Sequence, residues 1–212
     1  GDADADNVYD VIVEASDGAQ TDTQSIAVTV TPSNDNAPVI TSNGGGSNAS
    51  INVAENSTAV TTVAATDADS PAQTITYSIS GGADAARFTI NAATGALGFV
   101  AVPDFDVPGD ADTDNVYDVI VGASDGTLTD TQSIAVTVTP TNDNAPVITS
   151  NGGGGSASIN VAENTTVVTT VAATDADTPA QAIAYSITGG ADAARFTINT
   201  ATGALSFATA PD

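Results

Sequence analysis

Oxygen is nearly the whole ligand chemistry this chain offers. Its 26 acidic residues face two bases, Arg87 and Arg195, with no histidine, lysine or cysteine, and the net charge is −24. Crowded carboxylates beside asparagine amides suit calcium, which takes six to eight oxygens from Asp, Glu and Asn side chains, backbone carbonyls and water. The lack of imidazole and thiolate argues against zinc or copper. Magnesium keeps its waters and seldom uses such crowded protein cages. The acids are also grouped. Glutamate occurs only at Glu14, Glu55 and Glu163, and the rest are aspartates, mostly in turn-like strings. An acidic coat serving solubility is the competing reading, but a coat would mix Glu with Asp and spread them.

The same inventory narrows the function classes. A catalytic nucleophile needs a base, and no histidine or lysine is present. Paired aspartates could in principle serve a glycosidase, but here they recur in every repeat, where no substrate cleft is expected. The chain therefore reads as a non-enzyme. No basic patch exists to displace counterions from phosphates, so nucleic acid is a poor partner. No apolar run approaches the roughly 20 residues of a membrane span, so direct membrane insertion is not expected. Without cysteine there is no disulfide framework.

What must position these acids is a set of short strands, repeated. Residues 34–40 read NDNAPVI, and residues 142–148 read NDNAPVI again, a period of 108 residues that runs through the whole chain. A fixed period of this size denotes a tandem array of domains. Tyr9, Val11, Val13 and Ala15 alternate at the spacing of two that a half-buried strand requires, and Tyr117, Val119, Val121 and Ala123 repeat them. Ile75, Tyr77 and Ile79 form another face, echoed by Ile183, Tyr185 and Ile187. Phe88 with Ile90 and Leu97 with Phe99 flank a turn at residues 93–95, and residues 58–65 are β-rich. Residues 83–88 allow one helical turn. Turn signals every 8–12 residues predict an antiparallel β-sandwich over residues 37–141. Asn-Asp-Asn at 34–36 and 142–144, each followed by Ala-Pro, reads as a short stiff linker. The expected domains are then residues 1–33, the last strands of one sandwich; 34–141, a linker plus a complete sandwich; and 142–212, a linker plus the first strands of the next.

Taken in order, Ala54-Glu55-Asn56, Asp67-Ala68-Asp69, Asp104-Phe105-Asp106, Ala123-Ser124-Asp125 and Asn142-Asp143-Asn144 before Ala-Pro resemble the cadherin-repeat superfamily, and more closely its bacterial, adhesin-type tandem versions. The resemblance covers the whole chain. It implies an all-β fold of tandem Greek-key, immunoglobulin-like β-sandwiches joined by short calcium-binding linkers, with several Ca2+ ions at each junction. It assigns Asn34, Asp35 and Asn36 with Asp67, Asp69 and Asp125 to one junction. Glu55, Asp104, Asp106, Asn142, Asp143, Asn144, Asp175 and Asp177 go to the other. Glu163 and Asp212 belong to a junction further downstream, and Asp17 to one upstream. Pro32 and Pro140 stand where the family's linker usually begins with aspartate, which weakens or removes one ion per junction.

The implied function is a calcium-rigidified spacer in a long extracellular adhesin or fibre, at a cell surface or secreted. The alternative is a repeat region that itself mediates homophilic or glycan binding. Expected partners are further copies of the same repeat, covalently linked or head to tail, with host or neighbouring cell surfaces reached through other regions. One string lies outside this scheme. Asp110, Asp112 and Asp114 with Asn115, and the copy at Asp2, Asp4 and Asp6, have part of an EF-hand-like spacing. Its glycine and closing acid are missing, so an exposed acidic turn is the preferred reading.

Overall fold

In the computed structural model residues 6–212 are described; Asp2 and Asp4 of the first acidic string lie outside them. Among the described residues every regular element is a strand or a single 3-10 turn, and no helix is long and apolar enough to cross a membrane. The strands are β1 (Val8–Ser16), β2 (Thr21–Thr29), β3 (Val39–Ile40), β4 (Asn48–Ala54), β5 (Ala59–Thr62), β6 (Ala65–Thr66), β7 (Thr76–Gly81), β8 (Phe88–Ile90), β9 (Ala96–Phe99), β10 (Val116–Ser124) and β11 (Thr129–Thr139). After the second Asn-Asp-Asn come β12 (Val147–Ile148), β13 (Val167–Thr170), β14 (Ala173–Thr174), β15 (Phe196–Ile198) and β16 (Ala204–Phe207). The single helical turn expected near residue 85 is the 3-10 turn Ala85–Arg87.

Between residues 38 and 139 the strands form a four-stranded sheet in the order β4-β11-β10-β7, a three-stranded sheet β5-β9-β8 and the short pair β3-β6. One pairing departs from the antiparallel expectation. Backbone bonds from Ser133 N to Ser47 O and from Glu55 N to Thr139 O advance together along both strands, so β4 runs parallel to β11. A parallel pair needs a long crossover, and the chain between β4 and β11 supplies it.

Residue contacts divide the chain into two compact units. The first takes residues up to Ala49, with Thr61–Gly98 and Asp118–Ile134; the second takes Ser50–Val60, Phe99–Tyr117 and Ala135–Asp212. In the first unit Ile40, Val63, Phe88, Leu97, Val119, Val121, Ala123 and Ile134 are buried. In the second, Val53, Phe99, Tyr117, Val136 and Val138 are buried, and Phe99 meets Tyr117 edge-on with ring centroids 5.1 Å apart. The alternation read at Tyr117, Val119, Val121 and Ala123 is the alternation that is buried along β10, and β11 is buried on alternate residues as well.

Nearly identical sequence elsewhere behaves differently. Tyr9, Val11 and Val13 on β1 are 44, 48 and 44% exposed, whereas their counterparts Tyr117, Val119 and Val121 are at 3, 1 and 0%. Among the described residues β1 pairs with β2 alone. Residues 183–187 form no ladder, although their counterparts lie within or beside β7. β7 is held by β10, and among the described residues no strand lies beside 183–187. The alternation was legible; the partner that turns it into a ladder is not local.

Gly95 illustrates a site where only one residue fits. It has φ +71°, and a Cβ there would collide with the Val63 carbonyl. Its N–H donates to Asn91 O and its carbonyl accepts from Val63 N, so it cannot move aside cheaply. Gly95→Ala is expected to cost about 1–3 kcal/mol. Urea unfolding would show an earlier midpoint, and an unchanged midpoint would contradict this account.

Candidate metal centre

Among the described residues two acidic constellations form around the linker residues, one within each compact unit. In the first, the carboxylates of Asp67, Asp69 and Asp125 can each place one oxygen within 4.8 Å of the others. Asp67 and Asp69 follow β6. Asp67 Oδ1 accepts from the Asp69 N–H at 2.8 Å, which turns both acids toward one point. Asp125 sits in the β10–β11 connection, where its Oδ1 accepts from the Thr127 and Leu128 N–H groups, both at 2.7 Å. The linker reaches these acids directly. Asn36 donates to Asp69 from its N–H at 3.2 Å and from its side chain at 2.5 Å, and its side chain also donates to Asp35 at 3.0 Å.

One feature of this group calls for a cation. Asp67 Oδ2 is sealed from solvent with no donor. The Asn34 side-chain amide, with its nitrogen toward the acids, donates to Asp69 Oδ2 at 3.1 Å and to Asp125 Oδ2 at 3.0 Å. Three carboxylates that close repel one another unless a positive charge lies among them.

In the second constellation Glu55, Asp106 and Asp143 approach within the same 4.8 Å. Glu55 follows β4 and is only 4% exposed. Its Oε2 accepts from Phe105 N at 2.8 Å, and its Oε1 from Thr141 N at 2.5 Å and Thr141 Oγ1 at 3.1 Å. Asp106 accepts from Thr178 N at 2.6 Å and from the Asn144 side chain at 3.0 Å. Asn144 also donates to Asp177 Oδ1, from its N–H at 3.0 Å and its side chain at 2.8 Å. Asp177 is 3% exposed and its Oδ2 has no donor. Asp175 Oδ1 accepts from the Asp177 N–H at 3.0 Å. Both groups are all-oxygen and strongly anionic, and both keep buried oxygens without donors, so the residues present fit calcium.

Other sequence-assigned residues are placed differently. Asp104 is exposed and closes a turn, its Oδ1 accepting from Asp106 N and Val107 N. Asp17 does the same for Ala19 and Gln20. Among the described residues neither joins a group of three acids, nor do Asp35, Asp175, Glu163 and Asp212. Glu163 precedes Asn164, whose N–H donates to Pro211 O beside Asp212, matching the bond from Asn56 N to Pro103 O. For Asn142 no hydrogen bond is seen. Sequence reasoning passed over Asn56, whose amide donates to Asp143, and Thr141 and Thr178, which hold Glu55 and Asp106. Asn56 adjoins Glu55 and adopts φ +64°, a backbone state that asparagine tolerates; the two threonines carry no sequence signal.

The hydrogen bonds set the charge state. The N–H groups of Leu128 and Thr127 hold the Asp125 carboxyl below the usual aspartate value despite some desolvation. The Asn36 side-chain amide does the same for Asp69. Burial pushes Glu55 and Asp177 up, and their donors more than offset it. A carboxyl depressed on folding stabilises the chain above its unfolded pKa, and that contribution fades as pH falls through the folded value. The stability gap between the wild type and Asp125→Asn in EDTA is therefore expected to be constant from pH 7 to 5. It should close below the ordinary aspartate value of 3.8. Thermal melts across pH test this, and a gap that widened in acid would refute it.

A family model described as Cadherin domain matches residues 49–139 and 157–210. Human Cadherin EGF LAG seven-pass G-type receptor 2 is 36% identical over 179 residues, covering 80% of this chain and 6% of the relative. Human Protocadherin Fat 1 is 34% identical over 208 residues, covering 93% and 4%. The chain thus spans a small fraction of these relatives' length. Among solved structures, the protocadherin gammaB7 EC3-6 cis-dimer aligns at TM-score 0.62 and 26% identity, covering 98% of this chain and 52% of that one. Human CDH23 EC21-23 aligns at TM-score 0.65 and 21% identity, covering 97% and 65%, which speaks to fold alone. These relatives correct one expectation. The similarity runs to human and mouse receptors and protocadherins, not to bacterial adhesins. The motifs behind that placement are acids and linker residues suited to holding calcium, a constraint that does not separate branches.

Proposed function

The chain belongs to the cadherin-domain family, and from that premise we propose that it is a calcium-clamped run of repeats that itself takes part in adhesion, by pairing with a second copy. The family supplies the frame: all-β sandwich domains joined in series, extracellular, non-catalytic, with calcium at the interdomain linkers. The observation that carries the reading is the full-length likeness to a protocadherin fragment described as a cis-dimer. Val100, Val102 and Val107 add to it. They are 66, 56 and 70% exposed within eight residues of one segment, and grouped exposed apolar residues favour contact with another protein.

We assign the domains as residues 1–33, 34–141 and 142–212. Supporting this, the alternating apolar faces of β10 and β11 are buried, while the apolar face of β1 and β2 and a groove of about 720 Å³ lined by Ile183, Tyr185, Ile187 and Phe196 are open. Each face is of the kind that a neighbouring repeat would cover, as β10 and β11 cover theirs. At the junctions, several calcium ions would be held by Asp67, Asp69 and Asp125 with the first linker, and by Glu55, Asp106, Asp143 and Asp177 with the second. The ions supply positive charge; the chain's own residues orient the oxygens and exclude water.

Sedimentation in calcium and in EDTA tests the adhesive reading. Calcium-dependent self-association that Val100→Asp with Val102→Asp abolishes is expected; a monomer at every concentration in calcium would overturn it. The spacer reading has its own support in Asn144, which bonds acids from both sides of its linker, Asp106 and Asp177. Under that reading chelation shortens the particle in solution scattering without any self-association in calcium.

A further inference from the structure

The loop before β10 holds a third acidic group that the linkers do not use. Asp110, Asp112 and Asp114 each place a carboxylate oxygen within 4.8 Å of the others. The decisive member is Asp110. It is only 6% exposed. Its Oδ2 accepts from the Asp114 N–H at 2.8 Å, and its Oδ1 is sealed from solvent with no hydrogen-bond partner. Asn115, at 8% exposure, repeats the pattern: its amide nitrogen donates to Phe105 O at 3.1 Å and its oxygen is buried without a donor.

Charge makes this costly. The Asp110 carboxylate is buried beside two other carboxylates and takes a backbone N–H on one oxygen, leaving the other without a donor. A buried and incompletely bonded carboxylate beside two more needs a counter-charge. The chain has no lysine or histidine and only two arginines. A metal is the remaining source. The donors are hard oxygens without nitrogen or sulfur, which suits calcium over zinc or copper.

We infer that the Asp110–Asp112–Asp114 loop is a calcium site within the repeat, separate from the linker sites. This reverses the sequence-based preference for a plain acidic turn. The missing EF-hand glycine and closing acid matter less here, because burial of Asp110 closes the group from within. The inference does not depend on adhesion or on occupancy of the junctions.

The test uses the whole 212-residue chain and calcium alone. Asp112 and Asp114 are exposed, so Asp112→Asn with Asp114→Asn should leave the fold intact by circular dichroism. Equilibrium dialysis is expected to show one calcium fewer per chain at saturation, with junction binding kept. The reciprocal variant, Asp67→Asn with Asp69→Asn, should lose ions while the loop retains its own. In the wild type, the amide resonances of residues 111–115 should shift on calcium titration. Unchanged calcium uptake in the loop variant, or loop amides that do not move in the wild type, would overturn the inference.

Discussion

Replacing Glu55 with alanine is expected to destabilise the chain by about 2–5 kcal/mol even in EDTA. The reason lies in its bonds, before any metal is considered. Glu55 is almost wholly buried and satisfies the N–H groups of Phe105 and Thr141 and the Thr141 hydroxyl. Truncation leaves two backbone donors without their acceptor, and each unsatisfied buried donor costs about 1–3 kcal/mol. Glu55→Gln keeps one oxygen able to accept and should recover part of the loss. In calcium the gap between wild type and Glu55→Ala should widen, because the same carboxylate faces Asp106 and Asp143. Chemical unfolding in both buffers measures this. A Glu55→Ala variant as stable as wild type in EDTA would refute the role given to those bonds.

Calcium is expected to raise the melting temperature by on the order of 10 °C or more. A ligand at a hundred times its dissociation constant adds about 2.7 kcal/mol per site by linkage. For a domain near 100 residues about 1 kcal/mol shifts the midpoint by roughly 4–8 °C. Two clusters with buried oxygens lacking donors, at Asp67 and Asp177, make this a large effect. Scanning calorimetry in calcium and in EDTA decides it, and coincident melts would sink the calcium assignment. Magnesium at equal concentration is the control, since it sheds its waters reluctantly. Full rescue by magnesium would mean charge neutralisation alone suffices.

The acidic groups show how far the sequence reaches. Asp67 and Asp69 are two residues apart, and their shared turn could be read directly. Asp125 lies 89 residues beyond Asn36, and only the motif order of a resembling family suggested that they meet. Thr178 and, apart from its hydroxyl, Thr141 escaped notice because their contribution is a backbone N–H, which every residue but proline carries. Asp110 was read as solvent-exposed from its acidic neighbours, whereas the fold buries it and leaves one oxygen with no partner.

The sequence by itself determined the repeat, the strand alternation and a chemistry confined to oxygen ligands, since each is a property of composition or of near neighbours. The tertiary structure decided which copies of an element are used. Tyr9 and Tyr117 sit in almost the same local sequence, yet one is 44% exposed and the other 3%. Residues 183–187 repeat the pattern of β7 and form no ladder. Local pattern sets which face of a strand is apolar. Burial and pairing require a second surface, and that surface comes from residues far along the chain.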